Sequence, residues 1–244
     1  MAVLYIIGTP IGNLGDISFR AVEILKAVSL VACEDTRRTQ KLLNHLGIRV
    51  RMLSCRAQNE EFAAGKVIAA LESGQDAAYA SDAGTPALSD PGARLVRLVR
   101  DAGHRAIPVP GPSAFAALLS VAGGTDKTVV FEGFLSPKPG RRRTRLKELL
   151  VMDAAVVLYE SPFRVIKLLE DIAGIDPMRY TFIGREMTKV YEEHIWGSAR
   201  EVLEAVSGGG EPVGEFSVFV GGPGGVNKSV PAADNEYRKV TNGR

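Results

Sequence analysis

Five short hydrophobic runs along the chain each end in a polar or Gly/Pro-rich turn. Val3 to Gly8 leads into Thr9-Pro10, Leu30 to Cys33 into Glu34-Asp35-Thr36-Arg37, and Ala77 to Ala80 into Ser81-Asp82-Ala83-Gly84-Thr85-Pro86. Ala154 to Leu158 leads into Tyr159-Glu160-Ser161-Pro162, and Thr181 to Gly184 into Arg185-Glu186. A short apolar run that emerges into charge is the pattern of a buried parallel strand whose carboxyl end opens on a crevice, where open α/β sheets bind ligands. The pattern therefore predicts that the polar residues collect at one edge, and that edge is where chemistry is expected.

Between the runs the apolar spacing is helical over Ile17 to Val28, Thr39 to Leu46, Phe62 to Leu71 and Pro91 to Ala102, and Arg105 to Val109 adds a further strand. Strands alternating with short helices imply a parallel sheet covered on both faces. Pro110-Gly111-Pro112-Ser113 is a sharp turn opening the apolar helix Ala114 to Ala122. After the linker-like Gly123-Gly124-Thr125 a second series follows: strand Val129 to Phe134, helix Thr144 to Leu150, strand Ala154 to Leu158, helix Phe163 to Ile172, strand Tyr180 to Gly184, helix Ala199 to Val206 and strand Glu215 to Val220. The expected organisation is an N-terminal α/β domain (1–112), a helix and linker (113–125), a C-terminal α/β domain (126–221) and a structureless tail (222–244), where Gly, Pro, Asn and charge show no apolar period.

Composition narrows the class. A chain of 244 residues with 45% hydrophobic content has enough apolar surface for real cores, and a net charge of +2 does not by itself point to nucleic acid. Cys33 and Cys55 form no close pair, and His45, His104 and His194 are scattered without ligand spacing, so neither a disulfide framework nor a metal site is expected. The chain enters its first strand without a basic leader, and no apolar stretch approaches the roughly 20 residues that cross a bilayer. A soluble protein of the reducing cytoplasm is the expectation.

Gly8-Thr9-Pro10-Ile11-Gly12-Asn13-Leu14-Gly15 follows the first strand, where glycines let a ligand approach the backbone. The spacing is neither G-x-G-x-x-G nor a P-loop, so a tight strand-to-helix turn is an equal reading. Ser81 to Gly92 holds the densest turn chemistry of the chain: two prolines fix its path, Asp90 is placed to cap the following helix, and Asp82 has no evident capping task. A rigid loop presenting a carboxylate and backbone groups suits a ligand with hydroxyls and an amine; an elaborate capped turn is the alternative. Glu34-Asp35-Thr36-Arg37-Arg38 and Arg185-Glu186-Met187-Thr188-Lys189 place acids beside bases at two strand ends, either for chemistry or for local ion pairing with Asp35 or Thr36 as a cap. At Tyr159-Glu160-Ser161-Pro162 the structural reading leads, with Ser161 as a helix cap. Ser136 to Arg145 is expected to form a basic loop whose Lys138, Arg141, Arg142, Arg143 and Arg145 suit phosphate contacts, flanked by no stacking rings except Phe131 and Phe134.

These segments together resemble the bacterial small-subunit ribosomal RNA 2′-O-methyltransferase I family, a branch of the tetrapyrrole methylase (class III methyltransferase) superfamily. The matching stretches are LYIIGTPIGNLGD (4–16), CEDTRRTQKLL (33–43), SDAGTPALSDPG (81–92), PVPGPSA (108–114), FEGFLSPKPGRRR (131–143), YESPFR (159–164) and REMTK (185–189). They run in order through almost all of residues 4–220. The resemblance implies two α/β domains with a cleft between them that holds S-adenosylmethionine, a homodimer, and methylation of a cytidine ribose 2′-hydroxyl in the decoding region of the small-subunit RNA. It places Pro10, Gly12, Asp82, Ala83, Gly84, Pro112 and Ser113 at the cofactor, with Tyr159 and the turn before Glu215 closing the pocket. For the catalytic base it leaves Glu34, Asp35 or Glu186, with Arg37, Arg185 and Lys189 steadying phosphate or the forming oxyanion, and no metal. Family members often continue into a small helical C-terminal region; here Val220 is followed by the Gly/Pro-rich tail.

Two rival functions share parts of this pattern. A tetrapyrrole methylase of the same superfamily would use the same cofactor loops but needs a large apolar cleft for a macrocycle and has no use for the arginine cluster. A non-catalytic RNA- or nucleotide-binding module would tolerate loss of the turn chemistry around Asp82, which is intact.

Overall fold

The computed structural model describes residues 2–124, 126–224 and 239–241. Two units, Met1–Ser113 and Ala114–Arg244, each carry their own sheet and core.

In the first unit β1 (Val3–Ile7), β2 (Leu30–Cys33), β3 (Arg51–Ser54), β4 (Ala77–Ala80) and β5 (Arg105–Val109) form a wholly parallel sheet in the order β3-β2-β4-β1-β5. β2 and β4 are buried at every position, as strands covered on both faces must be. The covering helices are α1 (Phe19–Ala27), α2 (Thr36–His45), α3 (Glu60–Glu72) and α4 (Ala93–Asp101). Ala21 and Leu25 of α1 and Leu43 of α2 pack with Ile7, Val31 and Val109 in one cluster, while Val67 of α3 and Leu95 and Val99 of α4 pack with Leu4, Ala32 and Tyr79 in another. The chain leaves β1 and its neighbour β4 in opposite directions along the sheet, so their carboxyl ends form a topological switch point, the place where open α/β sheets take ligands. β3 was absent from the sequence pattern. It opens on an exposed arginine and lies at the sheet edge, so no continuous apolar run marks it.

In the second unit β6 (Val129–Phe134), β7 (Ala155–Glu160), β8 (Tyr180–Arg185), β9 (Glu193–Ser198), β10 (Phe216–Val220) and β11 (Lys239–Thr241) form a sheet in the order β11-β9-β8-β10-β7-β6. Only β6 and β7 are parallel; the other pairings are antiparallel. The parallel reading of the runs ending at Leu158 and Gly184 is thereby corrected, because β10 inserts between β7 and β8. Since β10 runs against both, β7 and β8 still point the same way and their carboxyl ends share one edge. β9 also went unread: it alternates Glu193, His194, Ile195 and Trp196, too polar to stand out as a buried run. Helices α6 (Pro139–Leu150), α7 (Pro162–Ile175) and α8 (Ala199–Gly208) cover one face through Leu146, Leu168 and Val202, and α5 (Ala114–Val121) covers the other through Leu118. Of the expected tail 222–244, most residues lie outside those described, and Lys239–Thr241 pair with β9.

Candidate functional site

The turns after β1, β4 and β5 are knitted together through their backbones. Gly8 N donates to Val109 O at 3.1 Å, and Thr9 and Gly84 exchange two amide bonds of 2.9 and 3.0 Å as an isolated bridge. Thr85 Oγ1 donates to Pro112 O at 3.3 Å. Gly8 and Gly111 lie backbone against backbone, so that a Cβ on either would collide with the other, and Gly84 sits at φ 79°. These positions need glycine, which leaves a rim of small residues and peptide groups at the switch point. Pro10, Ala83, Gly84, Pro112 and Ser113 all belong to this rim, while Gly12 is exposed in the bend before the short turn Leu14–Asp16. Such a cradle of bare backbone leaves room for a ligand to approach the peptide groups.

The loop that follows is strained. Ala87 and Ser89 both hold left-handed backbone, at φ 67° and 66°, a conformation that costs on the order of 1 kcal/mol or more at a non-glycine residue and clusters at functional sites. The loop is held by Ala87 N donating to Pro91 O and by Glu60 of α3, whose buried carboxylate accepts from Gly92 N at 2.8 Å. Glu60, not Asp90, thus satisfies the start of α4, correcting the expected cap. A long-range carboxylate does what the local sequence suggested Asp90 would do.

Beside this rim, at the carboxyl ends of β2, β3 and β4, a cavity of about 400 Å³ is lined by Glu34, Asp35, Arg37, Arg56, Asp82 and Pro91, among others. Asp35 caps α2: its Oδ1 accepts from Arg37 N at 2.9 Å, and its two oxygens take the Arg37 guanidinium at 3.1 and 2.6 Å. Those bonds hold its carboxyl well below the usual carboxylate range. Asp82, which seemed to lack a local task, accepts the Asp35 amide on Oδ1 at 2.8 Å, with Arg38 Nε 3.5 Å from Oδ2. It therefore ties the β4 turn to the β2 turn. Glu34 differs from both: burial, then the nearby Asp82 charge, push its carboxyl up. Asp90 is pushed up to about 6 by burial and by the Glu34 charge, against a Ser81 hydrogen bond that lowers it. Arg56 escaped sequence reasoning, and Asp90 was read there only as a helix cap. The signal for Arg56 was its position just past β3, which could be used only once β3 was recognised.

At the corresponding edge of the second unit the acid–base set closes on itself. Lys189 Nζ lies 2.7 Å from Glu186 Oε1 and 3.0 Å from Glu215 Oε2, and Glu186 Oε1 also accepts Glu215 N at 2.9 Å. Burial alone would raise the Glu186 carboxyl, but the Lys189 and Glu215 bonds outweigh it and leave it lowered. Glu186 and Thr188 are left-handed at φ 50° and 66°, so this network stabilises a strained turn. Arg185 donates to Val213 O at 2.8 Å and pairs with Glu193 at 2.9 Å. Glu160, buried, takes Ser161 N at 2.7 Å and Arg164 at 2.6 Å, whereas the Ser161 side chain makes no cap bond. Tyr159 stands edge-on to Phe131 and Phe134.

The basic run is not a loop. Pro139 takes the first turn of α6, where its missing N–H and fixed φ suit a helix start, and arginine is a good helix former. Arg142 is buried against Asp171 at 2.7 Å, Arg143 reaches the same carboxylate at 2.6 Å, and Arg145 pairs with Glu132 and Glu148. Lys138 and Arg141 are the members of the run that are exposed and carry no ion pair among the described residues.

Residues 3–203 match the family of Tetrapyrrole (Corrin/Porphyrin) Methylases. The chain belongs to this family. Similar relatives include a protein of Xylella fastidiosa (strain Temecula1), 43% identical over 99% of this chain and 86% of its own length. Another, from Borrelia garinii subsp. bavariensis, is 44% identical over 89% of this chain and 98% of its own length. Both carry the name Ribosomal RNA small subunit methyltransferase I. Among solved structures, the cobalt precorrin-4 methyltransferase of cobalamin biosynthesis superposes with a TM-score of 0.66 at 16% identity, covering 90% of this chain and 94% of that one. The uroporphyrin-III C-methyltransferase of Thermus thermophilus gives 0.62 at 19%, covering 91% and 94%. Both likenesses establish the fold of the family.

Proposed function

We propose that this chain transfers a methyl group from S-adenosylmethionine to the ribose 2′-hydroxyl of a cytidine in the decoding region of small-subunit ribosomal RNA. The reading is carried by its 43% identity along 99% of the chain to a relative named for small-subunit ribosomal RNA methylation. The site supports it against the macrocycle alternative, because the cavity beside the switch point is lined by carboxylates and arginines rather than by a wide apolar surface.

S-Adenosylmethionine supplies an electrophilic methyl on a sulfonium, so the chain's own task is to align the hydroxyl and take its proton. Pro10, Ala83, Gly84, Pro112 and Ser113 offer backbone and small side chains to the donor, and Asp82 keeps the β4 turn in register with Asp35. Of the three acids considered for the base, Asp35 is bound by Arg37 and Glu186 by Lys189, and both are held as weak bases. Glu34 lines the cavity with a carboxyl whose proton affinity is raised, which makes it the better acceptor for the ribose proton. Arg37 and Arg56 supply positive charge in the same cavity for phosphate or the developing alkoxide. Arg185 and Lys189 act as ties of the β8 turn rather than on substrate. The proposal includes a homodimer in the cytoplasm, which analytical ultracentrifugation of the pure protein tests for its oligomeric part.

The deciding assay offers undermethylated small ribosomal subunits and uroporphyrinogen to the pure protein with labelled donor. Label is expected in the RNA, at a ribose by mass spectrometry, and not in the macrocycle; the opposite distribution would overturn the reading. Glu34→Gln is expected to lower turnover by about 10²- to 10⁴-fold, the usual share of a general base, with donor affinity by calorimetry little changed. Asp82→Ala is expected to abolish donor binding.

A further inference from the structure

At the carboxyl end of β6 the chain departs from regular strand geometry. β6 and β7 pair in register from Val129 to Phe131, then shift, so that Gly133 opposes Leu158 and Phe134 opposes Tyr159. Glu132 is the extra residue, and Gly133 takes φ 70°, which glycine alone adopts without strain. In a regular strand Phe131 and Phe134, three apart, would point to opposite faces. Here both rings contact Tyr159, at centroid distances of 5.1 and 5.8 Å, and Phe131 in turn contacts Phe115 at 5.1 Å. The bulge therefore turns Phe134 onto the aromatic side of the sheet, at the outer end of a row of rings, where it remains 57% exposed. The carboxylate of Glu132 takes the Arg145 guanidinium through two bonds of 2.8 Å, which clamps the bulge to α6. Four residues beyond Phe134, at most about 14 Å along the chain, stands Lys138, and one helical turn further Arg141; both side chains are exposed and unpaired among the described residues.

We propose that Phe134, with Lys138 and Arg141, forms a platform for single-stranded RNA, the ring stacking an unpaired base while the two cations contact flanking phosphates. A fixed, half-exposed ring bordered by unpaired cations is the arrangement that binds single strands, because every base has a face to stack and every linkage a charge. The inference rests on the RNA-substrate reading above and specifies the surface that reading leaves open.

Fluorescence anisotropy with a labelled single-stranded 12-mer RNA and with the same sequence as a duplex, repeated over a salt series, tests it. Phe134→Ala should weaken single-strand binding roughly tenfold with the salt slope unchanged, Phe134→Trp should restore it, and Phe134→Leu should not. Lys138→Gln/Arg141→Gln should lower the slope of log K against log salt by about 1.4, the share of two phosphates on a single strand. Phe19→Ala, which truncates a ring 91% exposed on α1, serves as the control and should bind like the parent. If the parent methylates small-subunit RNA while Phe134→Ala binds and methylates equally well, the platform is overturned and the methylation reading stands. If Phe134→Leu matches the parent, or if Phe134→Ala changes the sedimentation coefficient but not RNA affinity, the ring packs rather than stacks and the platform is likewise overturned. If the parent methylates no small-subunit RNA, the functional reading falls first.

Discussion

Three neighbouring carboxylates past the ends of β2 and β4 show how little residue type alone says about role. Asp35, Glu34 and Asp90 lie near one another, yet Arg37 pulls the first down while burial pushes the other two up. Glu34 as the base has a kinetic consequence: the acid limb of kcat/KM for methyl transfer should lie above the ordinary carboxylate value and disappear in Glu34→Gln. Asp90 has a consequence for stability. Its folded value of about 6 lies above the ordinary 3.8, so the folded state binds this proton more tightly than the unfolded chain. Its contribution is fully present below pH 3.8 and is lost as pH rises through about 6. Asp90→Asn, which keeps a partner for Ser81, should therefore raise Tm at pH 7.5 and leave it nearly unchanged at pH 4; an equal shift at both values would contradict the assignment.

At the level of elements, two devices hold the loops in place. The contact of Gly8 with Gly111 joins the ends of β1 and β5, and a methyl group on either glycine meets backbone that has nowhere to move. Gly111→Ala should lower stability and donor affinity together, with calorimetry and thermal melting as the measurements. In the second unit the buried Arg142–Asp171 pair joins α6 to α7. Asp171→Ala leaves the Arg142 charge buried without a partner and should cost about 3 kcal/mol in urea unfolding, the scale for breaking a buried ion pair. This same pair explains why α6 was half hidden in the sequence. A Pro-Gly-Arg-Arg-Arg string has the composition of a solvated loop, and only a carboxylate 29 residues further on brings one of its arginines into the core. β3 and β9 were hidden for a related reason: strands near sheet edges carry charge and show no continuous apolar run.

The whole molecule is two α/β units whose cores are built separately, one around a parallel sheet and one around a mixed sheet. If the rim of the first unit holds the donor, S-adenosylhomocysteine at a hundred times its Kd should stabilise the full chain by about 2.7 kcal/mol, seen as a rise in Tm that Gly111→Ala abolishes. A shift of the same size in Gly111→Ala would place the ligand elsewhere, and no shift with the parent protein would mean that the chain does not bind it. Much of this architecture was legible in one dimension. The apolar runs at Leu4, Val31, Ala78, Val157 and Ile183 mark strands because a strand buried on both faces has no polar position to spare. Likewise, the glycines and prolines after β1, β4 and β5 mark sharp turns at the strand ends because they favour such bends. What the chain alone could not state was strand order, the direction of β10, and the use of each charge. Those depend on partners far apart in sequence: Glu60 for the start of α4, Asp82 for the Asp35 amide, Asp171 for Arg142. Local pattern determines which segments are buried, because burial is a property of the segment. Charge states and caps belong to the tertiary structure, because they are set by whichever group folding brings within hydrogen-bond reach.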